Sequence, residues 1–83
     1  MIYPKDRLTR FEMARLVSAR ALQIELGAPC FVDVKGDSIK KAKEEIKRKV
    51  IPLVVKRVLP NGEEIEVDMD KAIDNWLKEH GDI

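Results

Sequence analysis

The sequence predicts a small, helix-dominated α+β domain: three helices, with one β-hairpin between the second and the third. Three observations carry this. Apolar residues recur at helical spacing in three separate stretches. A β-branched run over residues 51–59 leads through Pro60-Asn61-Gly62 into the alternating stretch Glu64-Ile65-Glu66-Val67. Each helical stretch also has start and stop residues in the right places. The 83 residues read as one domain, with an irregular lead-in over 1–7 and an additional C-terminal helix within 68–83.

The first helix is bounded at both ends. Thr9 can accept from the backbone N–H of Glu12 while Glu12 reaches back to Thr9, and Leu8 and Met13 have the spacing of a hydrophobic staple. Gly27 suits the left-handed position after the last turn, and Pro29 prevents continuation. Its faces are unusual. Ten of the sixteen residues from Phe11 to Leu26 are apolar, and no side of the helix is purely polar. A helix apolar nearly all round is buried on all sides, yet so short a chain cannot readily wrap one. A partner is expected to cover part of it.

Cys30-Phe31-Val32-Asp33-Val34 is expected to be a short extended run, ended by a turn at Lys35-Gly36-Asp37. Asp37 or Ser38 then caps a second helix with one apolar stripe, Ile39, Ala42, Ile46 and Val50, and charged residues elsewhere, Glu44 and Glu45 among them. In the β-branched run, Pro52 has no N–H and belongs at the strand start or on an edge. Leu59-Pro60-Asn61-Gly62 has type I turn chemistry. Two strands leave an open edge, which invites a third from elsewhere. Asp68 or Asp70 caps the last helix, whose stripe is Met69, Ala72, Ile73, Trp76 and Leu77 and whose stop is Gly81. That stripe either folds back on the domain or waits for a partner. Folding back is expected, because a domain this small needs each apolar face it has.

Charge is balanced overall at +1 but unevenly spread. Residues 35–57 carry nine Lys/Arg against three Asp/Glu, while residues 60–83 carry two against eight. The single cysteine excludes an intrachain disulfide and a cysteine-based zinc site. No run approaches the ~20 apolar residues of a membrane span, and no apolar leader follows a positive start. An intracellular, cytoplasmic protein without membrane contact is expected.

No catalytic constellation emerges, and neither a cofactor nor a metal is expected. His80 near a helix end complements its dipole. Cys30, between Pro29 and Phe31, reads as a small buried side chain. Glu63, Glu64, Glu66, Asp68 and Asp70 lack the spacing of a calcium loop and read as a solvated face. Six Lys/Arg between Lys40 and Lys49 could meet phosphates, but Glu44 and Glu45 interrupt them and no aromatic lies among them for stacking. A free-standing basic nucleic-acid-binding domain is therefore only the alternative function.

Two blocks carry a more specific signal. Leu8-Thr9-Arg10-Phe11-Glu12-x-Ala14-Arg15-x-x-x-Ala19-Arg20-Ala21-Leu22-Gln23-Ile24, running into Gly27-Ala28-Pro29, closely resembles the signature of the omega-type small subunit of cellular RNA polymerases. Ile51-Pro52-Leu53-Val54-Val55-Lys56-Arg57-x-Leu59-Pro60-Asn61-Gly62 looks like the second block of that family, at the expected separation. Together they span about half the chain, in a form most similar to subunit K of archaeal RNA polymerase. The tail from Met69 onward is not part of the motif.

The resemblance implies a noncatalytic subunit of DNA-directed RNA polymerase that clamps the largest subunit and promotes assembly and stability of the enzyme. Its partners would be that subunit and the rest of the core, with DNA or RNA met only indirectly. The contact residues it implies are Thr9, Phe11, Glu12, Arg15, Arg20, Gln23 and Pro29 from the first block, and Leu53, Val55 and Arg57 from the second. Arg15 and Arg20 could pair with carboxylates or carbonyls across the interface. Alternatively they pair with Glu12 and Glu25 or extend into water. As an interface group, Arg20 would contribute little to the stability of the isolated domain, and Arg20→Ala would change it by less than about 1 kcal/mol. Leu53–Arg57 would add to, or pack on, a partner strand.

Overall fold

The computed structural model describes residues 4–83. Its elements run α1 (Arg10–Glu25), α2 (Ser38–Arg48), β1 (Lys56–Val58), β2 (Glu64–Glu66) and α3 (Met69–His80). Three helices and one antiparallel hairpin between the second and third are the predicted α+β class. Of the irregular lead-in expected over 1–7, residues 1–3 lie outside the described residues; a turn follows at Lys5 and Asp6. Among the described residues no helix is long and apolar enough to cross a membrane. The chain forms two compact units, Arg10–Pro52 and residues 4–9 with Leu53–Ile83.

In the first unit α1 packs on α2. The last turn of α1 closes as a Schellman motif: Ala28 N–H donates to Gln23 O (2.9 Å) and Gly27 N–H to Ile24 O (3.1 Å). Gly27 stands at φ 101°, the left-handed region a side chain resists. Asp37 caps α2, its Oδ1 accepting from Lys40 N–H at 2.9 Å. The inward side of α1 is Met13, Val17 and Ala21, and it shares the interior with Val32, Ala42 and Ile46. The predicted stripe on α2 is shorter than its four residues. Ile39 is 50% and Val50 43% exposed, and Glu45 takes the buried place one turn on from Ala42. No strand forms over Cys30–Val34. Phe31 N–H donates to the Glu45 carboxylate at 2.9 Å, and without a neighbouring strand only Val32 is buried. Cys30 is half-buried, its Sγ donating to Val32 O at 3.5 Å.

The C-terminal end of α2 carries a strained residue. Lys49 occupies the left-handed cap position at φ 55°, donating to Ile46 O (3.2 Å), while Val50 N–H donates to Glu45 O (3.3 Å). A β-carbon costs about 1–2 kcal/mol in this conformation, part of which glycine returns as extra freedom of the unfolded chain. Lys49→Gly is therefore expected to raise stability by up to about 1 kcal/mol. A denaturation midpoint at or below that of the wild type would show that the lysine side chain contributes more than its strain removes.

In the second unit the ladder is Lys56↔Glu66, Arg57↔Ile65 and Val58↔Glu64. It is shorter than the expected 51–59 because β2 offers only three partners. Flanking bonds join Val67 N–H to Val55 O (2.9 Å) and Leu59 N–H to Glu63 O (2.7 Å). The turn is as predicted, with Gly62 N–H donating to Leu59 O at 2.9 Å and Gly62 at φ 88°, the three-residue hairpin loop with a left-handed glycine. Strand-like alternation outlasts the ladder: odd positions from Ile51 to Leu59 are half-buried and even ones from Pro52 to Pro60 are exposed. Asp68, not Asp70, caps α3, and Gly81 ends it. The α3 stripe folds back at its centre, with Ala72 at 0% and Ile73 at 2% exposure in a unit that also buries Leu8 and Val67, while Met69, Trp76 and Leu77 are half-buried. Asn75 Nδ2 donates to Asp6 O (2.8 Å), and Arg7 pairs with Glu79. Trp76 is half-buried, its Nε1 donating to Asp82 O at 3.1 Å and its ring 4.1 Å from that of His80.

Candidate partner-docking site

Two features of the α1–α2 unit bear on function, a buried ion pair and an exposed apolar face. The pair joins residues 25 apart. Arg20 Nε donates to Glu45 Oε1 at 2.7 Å and Arg20 Nη2 to Glu45 Oε2 at 3.0 Å, a bidentate fork. Two further N–H groups are used, Nη1 on Gln23 Oε1 (3.0 Å) and Nη2 on Pro29 O (2.8 Å). The guanidinium also lies 5.8 Å from the centre of the Phe31 ring. Glu45 is fully buried. The hydrogen bonds from Arg20, with that of Phe31 N–H, outweigh burial and hold the Glu45 carboxyl below the usual carboxylate range. The hydrogen bonds to Glu45, with its negative charge, in turn outweigh burial and raise the Arg20 guanidinium above its ordinary value.

Arg20, Gln23 and Pro29 are thus brought together by bonds inside this unit. Arg20 reaches neither of its two helix neighbours. Glu12 lies two turns away, and Glu25, five residues on, points to another side of α1; its Oε1 accepts from Ser38 Oγ at 2.7 Å. The small effect expected of Arg20→Ala is corrected accordingly, since the arginine compensates a buried charge. Sequence reasoning missed Glu45, grouping it with the solvated charges. The available signal was its place three residues after Ala42 and next to Ile46, inside the apolar stripe.

The exposed face lies on the other side of α1. Phe11 is 80%, Leu22 55% and Leu26 79% exposed. At about 100° per residue the three fall within about 60° of one another, with Arg15 between them. Arg15 is exposed, and so are Ala14, Ser18 and Ala19. Small residues here leave the helix backbone open to close approach, and apolar ones supply area to bury. Leu22 and Leu26 were not among the expected contact residues. Thr9 and Glu12 are half-buried and engaged.

From Leu53 on, the second block belongs to the other unit. Leu53, Val55 and Arg57 are half-buried on the inner side of the hairpin. Arg57 holds the preceding segment, donating from Nη1 to Pro4 O (2.9 Å) and from Nη2 to Arg7 O (2.7 Å). Val54 (60%) and Val58 (70%) project from the outer side. The acidic residues Glu63, Glu64, Glu66, Asp68 and Asp70 are all exposed, and among the described residues no group of three or more His, Cys, Asp or Glu could hold a metal ion.

The family model described as RNA polymerase Rpb6 matches residues 5–53, more than half of the chain and the whole of α1 and α2. The chain belongs to the RNA polymerase Rpb6 family. DNA-directed RNA polymerase subunit Rpo6 of Saccharolobus solfataricus is 44% identical over 72 residues, covering 82% of this chain and 76% of the relative. Rpo6 of Sulfolobus acidocaldarius is 41% identical over 75 residues, 86% and 83% of the two chains. Subunit RPABC2 of DNA-directed RNA polymerases I, II and III from Saccharomyces cerevisiae is 42% identical over 81 residues, 80% of this chain and 52% of that one. The archaeal members are thus similar along most of their length, as the resemblance to subunit K implies. The Rpb6 family match includes Arg20 and Glu45 and stops at Leu53, the third residue of the second block.

Proposed function

We propose that this chain is a noncatalytic subunit of DNA-directed RNA polymerase that clamps the largest subunit and promotes assembly of the enzyme, with the outer face of α1 as its principal docking surface. The observation that carries this reading is the exposure of Phe11, Leu22 and Leu26 on one side of a helix whose opposite side is already filled. Burying apolar area yields about 25 cal/mol per Å², and aromatic and aliphatic anchors dominate protein interfaces. Arg15, among these side chains, suits a carboxylate or carbonyl on the partner. The Arg20–Glu45 pair and the Schellman turn keep the end of α1 and the following loop rigid, which lowers the entropy lost on docking. Family membership agrees, since its archaeal and yeast relatives are named as polymerase subunits.

The test is co-production of the largest polymerase subunit with and without this chain. With it, the large subunit should be recovered soluble and in complex; equal recovery without it would remove the assembly role. The hairpin gives a second, local readout. The outer edge of β1 has no strand beside it among the described residues. Amide exchange over Leu53–Arg57 is expected to slow at least tenfold on assembly as a partner strand or surface covers it. Unchanged exchange there would confine the interface to α1.

A further inference from the structure

We propose that the outward face of α2 is a binding surface for the phosphate backbone of duplex DNA, distinct from the docking face of α1 and independent of it. As a sequence, the basic run looks interrupted by Glu44 and Glu45. The fold removes one interruption. Glu45 is turned inward, fully buried and neutralised by Arg20. Ala42 and Ile46 are buried beside it, so no apolar side chain remains on the outward side between Lys40 and Lys49. That side carries Lys40, Lys41, Lys43, Lys47 and Arg48, with Glu44 among them. Glu44 sits between Lys47 (3.4 Å) and Arg48 (2.9 Å), which leaves the ridge strongly positive.

The chemistry of this ridge selects its occupant. Lysine is depleted from protein interfaces, which rely on aromatic and apolar anchors that this side lacks. Single strands are bound by stacking bases on aromatic rings, and none lies here. Duplex DNA needs neither, since it presents about one charge per 1.7 Å and is held by point charges that release its counterions. Lys40, Lys43 and Lys47 recur at three and four residues and line one ridge of a helix about 16 Å long, enough to follow several phosphates.

The test uses the full chain and a fluorescent 20-base-pair duplex of mixed sequence. With about four phosphates neutralised, the slope of log K against log salt should be near −3.6, a loss of roughly a hundredfold between 50 and 200 mM salt. The variant K40Q/K43Q/K47Q should bind at least tenfold more weakly and with a shallower slope by about 3, at unchanged helical circular dichroism. K40R/K43R/K47R should retain binding. K56Q/K71Q/K78Q, which removes the same charge from other elements, should bind as the wild type does. Equal losses in the two glutamine variants would reduce the effect to net charge and overturn the proposal. So would no binding at 50 mM salt, or tighter binding of a single-stranded 20-mer RNA or of an oligoglutamate peptide, each of which would assign the ridge to another partner.

Discussion

Replacing Arg20 with alanine is expected to destabilise the isolated chain by about 3–5 kcal/mol, the range seen when one partner of a buried ion pair is removed. The loss comes less from the pair than from what is left behind: a fully buried Glu45 carboxylate with only the Phe31 N–H donating to it. A domain of this size has little stability in reserve, so the α1–α2 packing should be largely lost at 37 °C. Arg20→Lys should recover only part, because an ammonium cannot reproduce the fork that reaches Glu45, Gln23 and Pro29 together. Replacing both members, Arg20→Met with Glu45→Leu, should recover most of the loss, since two apolar groups leave no charge unpaired. Urea unfolding of Arg20→Ala and Arg20→Lys, together with a double-mutant cycle of wild type, Arg20→Met, Glu45→Leu and the double variant, measures this. A loss below 1 kcal/mol for Arg20→Ala would mean that Glu45 finds water or another cation.

The same pair sets a pH dependence whose sign follows from the direction of the shift. Glu45 titrates below its ordinary value in the folded chain, so the unfolded chain binds its proton first. The contribution of the pair is complete above the ordinary glutamate pKa of about 4.3 and is lost as the pH falls toward the lowered value. Arg20, raised by its partner, stays charged throughout and adds no slope in this window. In Arg20→Ala, burial without a cation favours the neutral carboxyl instead. The stability gap between wild type and variant should therefore begin to narrow above the ordinary glutamate pKa of about 4.3 and go on narrowing below it.

What could be read in advance divides along a physical line. Local chemistry was legible. Gly27 and Gly81 after their helices, Asp37 before α2 and Pro60-Asn61-Gly62 between the strands each act within a few residues, and each is found in its expected role. Features decided by distant neighbours were less so. Cys30–Val34 is extended in propensity, but a strand needs a second strand, and here the Glu45 carboxylate takes the Phe31 N–H instead. Glu45 itself looks like surface until α1 supplies an arginine 25 residues earlier in the chain. In the docking region, helical angles indicated that α1 had more apolar surface than a small domain could cover. They could not say which arc would remain outside, because packing on α2 selects Met13, Val17 and Ala21 as the inner line.

Because that choice leaves Phe11, Leu22 and Leu26 exposed, Leu22→Asp and Phe11→Asp should separate folding from assembly. Each alters an exposed side chain, so the isolated chain should keep its stability within about 0.5–1 kcal/mol. In the assembled polymerase the same positions would be desolvated. Losing a buried leucine or phenylalanine removes about 1.5–3 kcal/mol, and an unpaired carboxylate in its place adds a desolvation penalty. Incorporation into polymerase should then fall by a hundredfold or more, since about 2.7 kcal/mol already corresponds to that factor. Arg20→Ala should show the opposite profile at first, a chain that unfolds before it fails to assemble. Competition between tagged wild type and variant during reconstitution reads the ratio directly, with Lys71→Glu on α3 as a control of matched exposure. Undiminished incorporation of both aspartate variants, with their folds intact, would show that the partner covers a different side of α1 and leaves this face to solvent.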